Sequence, residues 1–358
     1  MTISLSGTNG VTFPDNSLQT AAASPFGLKN RLINGSFDIA QRGTSFTSTS
    51  SANNDDTYNL DRWYVLSDGN DAVDITQTTT VPTGAKYSIG LDVETVNKKF
   101  GIAQIIENVN CYDAIGGNVT LSFQAKVSAT TKLDNVKCAI IAWSGTADTV
   151  TSDIISAWGV EGTNPTLIAN ATYENTPANL NVTTSWATYS VTANVDTAST
   201  TNIIVFIWSD VTDTTLGDFL YITNAQLEIG TSATPFERRI YGQELANCQR
   251  YCQVINSTTN QFGNGWFNAT NIIMFLVNIP ITMRTSPTLT WNGGTISYDI
   301  PGTTITSTGT SGTLPYPNIF GTNGGRLAIQ LSTATQTSGS QAMVYIEGTG
   351  KLTLSSEL

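Results

Sequence analysis

Residues 225–254 read AQLEIGTSATPFERRIYGQELANCQRYCQV. The stretch starts on the alternating residues of a strand and passes a Pro-containing turn with the tightest charge cluster of the chain, Glu237, Arg238 and Arg239. It ends on Tyr241, Leu245, Cys248, Tyr251 and Cys252, spaced three and four apart. That last spacing is helical, with Gln243, Glu244, Asn247, Gln249 and Arg250 off the stripe, and predicts a helix over 242–254. Strand, elbow, helix is therefore the expected local order, the helix packing on its own core or around a symmetry axis. Long runs of period-two alternation lie on both sides of it.

Upstream, residues 27–236 alternate as an antiparallel β domain. VTLSFQAKV (119–127) sets Val119, Leu121, Phe123, Ala125 and Val127 on one face. Further strands are expected at 31–39, 62–66, 87–93, 102–106, 136–143, 154–160, 186–195, 202–208 and 219–227. Thr, Asn, Asp and Gly clusters separate them at the spacing of a sandwich or jelly roll, not of a βαβ array. Downstream, 255–358 returns to shorter strands at 272–281, 288–291, 296–300, 303–308, 327–331, 343–346 and 352–354. The predicted fold is all-β: an antiparallel β-sandwich or jelly-roll domain (27–236), an elbow and linking helix (237–254) and a smaller distal β-sandwich (255–358). Residues 1–26 form a separate segment with two short strands and turns at Asn9-Gly10 and Pro14-Asp15. Strands this short bury no core alone, so other copies or another protein must cover them.

Composition narrows the function. The 358 residues carry 12% charged side chains, against about 25% in ordinary soluble domains. Thr, Ser, Asn and Gly replace them, a mixture suited to strands and tight turns. The net charge is −11 and the 16 Lys and Arg are scattered, so nucleic acid is not an expected partner. No run approaches the roughly 20 apolar residues of a membrane span, and the N-terminus lacks the pattern of a secretory signal; a soluble, cytosol-folded chain is expected. Histidine is absent, which removes His-dependent triads and most zinc sites. Cys111 and Cys138 are far apart, and Cys248 and Cys252 share a helical face, so four free, buried thiols are expected.

No P-loop, dinucleotide fingerprint or nucleophile elbow occurs. The acids sit in loops at Asp55–Asp56, Asp71 with Asp74, and Asp210, Asp213 and Asp218. The last three, in WSDVTDTTLGD (208–218), are weak candidates for a structural calcium site; no other cofactor is expected. The aromatics carry more information. Trp266 in GNGWFN and Trp291 beside Asn292-Gly293-Gly294 lie near flexible turns, and Tyr316 and Phe320 lie in a Gly-rich loop, 311–325. Aromatic planes beside Asn and Gly can stack sugar rings, so these four are the candidate glycan-binding residues. Glu237, Arg238 and Arg239 are expected to form ion pairs or backbone hydrogen bonds that fix the elbow.

Several segments look familiar. SGTNGVTFPDNSLQTAAA near the N-terminus resembles a segment of tailed-bacteriophage tail-fibre proteins. NRLINGSFDIAQRGTSF (30–46) with YNLDRWYV (58–65) resembles a β-sandwich of the same proteins, similar to carbohydrate-binding modules and galactose-binding-like jelly rolls. LYITNAQLEIGTSATPFERRIYGQELANCQRYCQV (220–254) resembles their elbow and helix, and KLTLSSEL their C-termini. The resemblance implies a homotrimeric virion tail protein, assembled in the bacterial cytoplasm. Its N-terminal segment would dock on other tail or baseplate proteins, and its distal end would meet a host-surface polysaccharide by binding, without catalysis. Two alternatives stay open: a structural collar, cement or decorating protein, and a polysaccharide-cleaving tailspike, which needs a carboxylate pair across a groove.

Overall fold

A computed structural model describes residues 4–6, 10–12, 18–19, 28–256, 263–291, 295–299, 319–330, 337–347 and 350–358. Two antiparallel sheets face each other in the larger block. One has five strands in the order Ala171–Tyr173, Val136–Trp143, Asn202–Ser209, Phe100–Ile106, Tyr64–Ser67. The other has six, in the order Ala187–Asn194, Asn118–Val127, Phe219–Ile229, Ser88–Val93, Val73–Thr78, Ser45–Phe46. The predicted all-β sandwich is what forms.

Alternation explains how the sheets pack. From Asn118–Val127, the side chains of Val119, Leu121, Phe123, Ala125 and Val127 enter one core with Val136, Cys138 and Ile140 of the facing sheet. The intervening Ala139, Ile141 and Trp143 enter a second core on the opposite face, with Tyr64, Ile204, Phe206, Trp208, Trp158 and Leu358. The five-stranded sheet is therefore covered on both sides. This is why Val136–Trp143 and Asn202–Ser209 are buried at every position. A strand buried on both faces reads as a continuous apolar run, and NIIVFIW is such a run.

A buried ion cluster pins the second cover. Asp210 is fully buried and accepts from Lys137 Nζ at 2.6 Å, from Lys99 Nζ and from Gly162 N at 3.1 Å. Lys99 also donates to the carbonyls of Val160 (2.8 Å), Thr163 (3.3 Å) and Trp158 (3.4 Å). Its charge thus ties the 158–163 loop over the aromatic face.

The structure differs from expectation at several places. Residues 31–39 are not a strand: Asn34 (φ 58°) and Phe37 (φ 55°) are left-handed, and a Cβ on Gly35 would lie 2.0 Å from the Ala225 carbonyl oxygen. The Asn34 side chain locks this turn, donating to the carbonyls of Ile39 and Asp61 and accepting from Ile39 N. The predicted 154–160 strand shrinks to Ile155–Ala157. The helix runs Tyr241–Gln249, not to 254, because Cys252–Asn256 pairs as a strand with Lys351–Ser355. Non-local pairing overrides local helical spacing there. The buried face also shifts: Tyr241 is exposed, while Glu244 and Cys248 are buried.

The smaller block has a six-stranded antiparallel sheet, ordered Thr295–Asp299, Gln341–Glu347, Gly263–Ala269, Ile272–Asn278, Gly324–Gln330, Ile319–Gly321. A three-stranded sheet, Cys252–Asn256, Lys351–Ser355 and Thr288–Trp291, sits beside it. One core joins them through Phe267, Phe275, Val277, Leu327, Val344, Leu352 and Leu354. The expected strand at 303–308 lies outside the described residues. Near the N-terminus, Ser4–Ser6, Gly10–Thr12 and Leu18–Gln19 pair antiparallel. All four cysteines are free and buried, and burial raises the thiols of Cys111, Cys138 and Cys252 to about 12. No helix among the described residues is long and apolar enough to cross a membrane.

Candidate functional site

The distal six-stranded sheet has one buried and one open face, again by alternation. Phe267, Ile273, Phe275, Ala342 and Val344 point to the core. Trp266 stands on the other face, between Met274 on one neighbouring strand and Gln341 on the other. Its side chain is 36% exposed, with Met343 at 39% and Leu276 at 56%. Asn264, directly opposite Met343, and Gln341 are exposed beside it. Asn264, Trp266, Gln341 and Met343, with Gly265, Gly339 and Ala342, line an open groove of about 600 Å³. Gly265 is required in the strand, because a Cβ would meet the Met274 carbonyl oxygen at 2.2 Å. Chemically, the groove offers an indole and the Met343 side chain edged by carboxamides, with Leu276 exposed on the same sheet face. An apolar floor with a few polar groups is the ordinary make-up of a small-ligand site.

The other candidate aromatics do not join Trp266. Trp291 and Phe320 are half-buried and pack against the distal core. Tyr316, with 311–318 of its loop, lies outside the described residues. Met343, Leu276 and Gln341 went unremarked in the sequence, although pairing the GNGW strand with its two neighbours would have placed them around Trp266. Another aromatic group, overlooked because Trp186 reads as a strand tryptophan, lies by the large sandwich. Lys126 Nζ is 6.0 Å from the Trp186 ring centroid and 5.2 Å from that of Tyr221, and Tyr221 stacks on Phe219 at 5.2 Å. These rings are half-buried and face one another and the ammonium.

The three candidate calcium ligands are not brought together. Asp210 is occupied by two lysines, Asp213 pairs with Lys132 at 2.8 Å, and Asp218 closes a turn by accepting from Thr215 N and Oγ1. No cluster of three metal-ligating side chains occurs among the described residues.

The elbow is held as a set of distinct contacts. Glu237 accepts from Leu28 N at 2.5 Å and Asn30 N at 2.9 Å. Burial pushes its carboxyl up, but these backbone donors and the Arg239 charge outweigh that and leave it below the usual range. Arg239 pairs with Glu244 at 3.0 Å, both nearly buried, and donates to the carbonyls of Leu32 and Asn30. Arg238, 41% exposed, reaches Asp38 at 3.2 Å and the Gly84 carbonyl at 3.0 Å. Each of the three thus makes an ion pair or a hydrogen bond to the backbone. Beyond the helix, Arg250 and the Tyr251 hydroxyl both donate to Glu107; burial opposes ionisation there too, and these donors win, leaving Glu107 below its usual value.

No protein-family model matches the chain, and no curated protein matches it. Solved structures match at low identity. A tailspike protein 4 enzymatically active domain of bacteriophage CBA120 is 17% identical over 56% of this chain, with a TM-score of 0.33; the match spans only 22% of that domain. A putative sugar binding protein from Bacteroides thetaiotaomicron is 14% identical over 56% of this chain and all of its own, with a TM-score of 0.34. TmCBM61, solved with β-1,4-galactotriose, is 14% identical over 56% of this chain and 99% of its own, with a TM-score of 0.29. At these scores nothing about this chain follows from the likenesses, and its functional reading rests on its own residues.

Proposed function

We propose that this chain is an attachment protein of a tailed-phage virion, a homotrimeric tail fibre or fibre-like appendage that binds a host-surface glycan without catalysis. The observation that carries the binding role is Trp266, exposed at the centre of an open sheet face and edged by Asn264 and Gln341. An indole face stacks on the C–H face of a sugar ring, and carboxamides exchange hydrogen bonds with hydroxyls at no cost in buried charge. The virion setting is supported by the resemblance of residues 30–46, 58–65 and 220–254 to tail-fibre segments. On this reading residues 1–26 dock on a tail or baseplate protein, the chain assembles in the bacterial cytoplasm, and the distal sheet meets the host. Three copies would turn weak single-site binding into avidity.

The test uses the full chain. Purified protein should compete with phage adsorption to host cells, and Trp266→Ala should weaken that competition at least about tenfold, the loss typical of an aromatic hot spot, with unchanged thermal stability. No competition by the wild-type chain, together with immunolabelling of collar or capsid instead of tail, would overturn this reading in favour of a structural virion protein.

A further inference from the structure

We infer a second binding site, for an acidic sugar residue of hexuronate type, in the cavity at the elbow between the helix Tyr241–Gln249 and residues 28–33. The cavity measures about 430 Å³ and is lined by Arg31, Arg239 and Arg250, with Asn110 and Asn247 and the apolar Leu28, Ile33 and Val109 among its other walls. Three of the chain's 16 cationic side chains converge here, in a protein of net charge −11. Each has a carboxylate partner: Asp113 for Arg31 at 2.7 Å, Glu244 for Arg239 at 3.0 Å and Glu107 for Arg250 at 2.7 Å. None of those three carboxylates lines the cavity.

Two of the three guanidiniums also carry a buried donor without a partner in the fold. Arg239 is 7% exposed at its side chain, and its Nε–H has no partner; the Nε–H of Arg31 is buried and unpaired as well. Arg250 spends Nε and one Nη on Glu107. An unpaired buried donor is costly, and a guanidinium fork matches a carboxylate in a planar, two-bonded geometry. The remaining walls select the rest of the ligand. Carboxamides of Asn110 and Asn247 suit hydroxyls, while Leu28, Ile33 and Val109 suit the C–H face of a ring. A volume of this size falls within the range of small-ligand sites, roughly 300–1,000 Å³. A carboxylate-bearing polyol ring satisfies every wall at once.

This inference takes from the glycan reading only the source of the sugar, and its test is separate from that of Trp266. Trigalacturonate, and the same trisaccharide with its carboxyls reduced to alcohols, are titrated into the full chain by calorimetry at low and moderate salt. The acidic trisaccharide should bind, should weaken as salt rises, and should lose about tenfold or more in affinity in Asn247→Asp, which puts a near-isosteric carboxylate on the cavity wall. Trp266→Ala should leave this binding unchanged. Thermal stability of Asn247→Asp at or above wild type shows the fold intact, and Arg31→Gln, at a guanidinium more exposed than that of Arg239, serves as the second variant. Equal binding of the neutral trisaccharide, equal affinity in both variants and wild type, or no binding at millimolar trigalacturonate would each overturn the inference. Trigalacturonate binding that survives Trp266→Ala, in a chain that fails to compete for host cells, would uphold this site and sink the attachment reading alone.

Discussion

Glu357 forms a buried ion pair with Arg62, a residue 295 positions earlier. A second guanidinium, Arg42, binds the other carboxylate oxygen at 2.9 Å. Around this pair the Tyr58 hydroxyl donates to the Leu358 carbonyl at 2.8 Å, and Arg284 donates to the carbonyls of Ser356 and Glu357. The Arg62 guanidinium lies 3.7 Å from the centroid of the Tyr251 ring. Residues of the large sandwich, the helix end and the smaller block thus meet on one carboxylate.

Glu357→Ala leaves Arg62, 1% exposed, and Arg42, 12% exposed, sharing no counter-ion at that point. Removing one partner of a buried pair costs about 3–5 kcal/mol. Denaturant unfolding should show that loss, and tryptophan fluorescence, dominated by the large sandwich, should report it although the change lies in the smaller block's last strand region.

Asp210→Asn should cost a similar amount, about 3–5 kcal/mol, because Lys99 and Lys137 are both buried against it. Proteolysis should then cut first within 158–163, the loop that Lys99 holds. A variant as stable as wild type would show that the lysines find other partners.

The two elbow arginines should separate cleanly. Arg238→Ala removes a pair that is 41% exposed on one side and should change stability by no more than about 1 kcal/mol. Arg239→Ala strands the buried Glu244 and should cost about 3–5 kcal/mol. Equal effects in chemical denaturation would refute the assignment of the elbow's rigidity to Arg239.

Asp56 gives a pH signature. Burial first, then the neighbouring charges of Asp55 and Asp153, raise its carboxyl to about 7, from about 3.9 in an unfolded chain. Between those values the folded state holds the extra proton, so this group makes stability fall as pH rises from about 4 to 7 and level off above. Asp56→Asn, which tolerates the left-handed backbone at φ 62°, should therefore melt higher than wild type at pH 8, with the gap closing toward pH 4. A gap independent of pH would show that the side chain does not titrate in this window.

Much of the sandwich was legible because alternation is local. VTLSFQAKV announces its inward face, and NIIVFIW announces a strand, whose cover on both faces shows only in the packing. The helix end was not legible: helical spacing runs through Tyr251 and Cys252, and only a partner a hundred residues later makes Cys252–Asn256 a strand. Residues 31–39 alternate like a strand, and the left-handed Asn34 and the close approach of Gly35 to the Ala225 carbonyl, which make them a turn, are set by the tertiary fold. At the sites, the GNGW setting read as a turn, and Trp266 is exposed because alternation puts it on the open face of the strand Gly263–Ala269. The half-burial of Trp291 and Phe320 depends on a core assembled from distant strands, and the convergence of Arg31 with Arg239 and Arg250 is likewise a product of tertiary folding.

The contacts around Glu357 bear on mechanics. A flexible joint would let the two blocks swing, so that a pull on one reaches the other only through a slack peptide. Here the blocks share the peptide after the helix, the backbone bond from Arg284 N to the Arg250 carbonyl at 2.8 Å, and the buried carboxylate between Arg42 and Arg62. Tension applied to the smaller block is therefore divided among these parallel contacts and not carried by the connecting peptide alone.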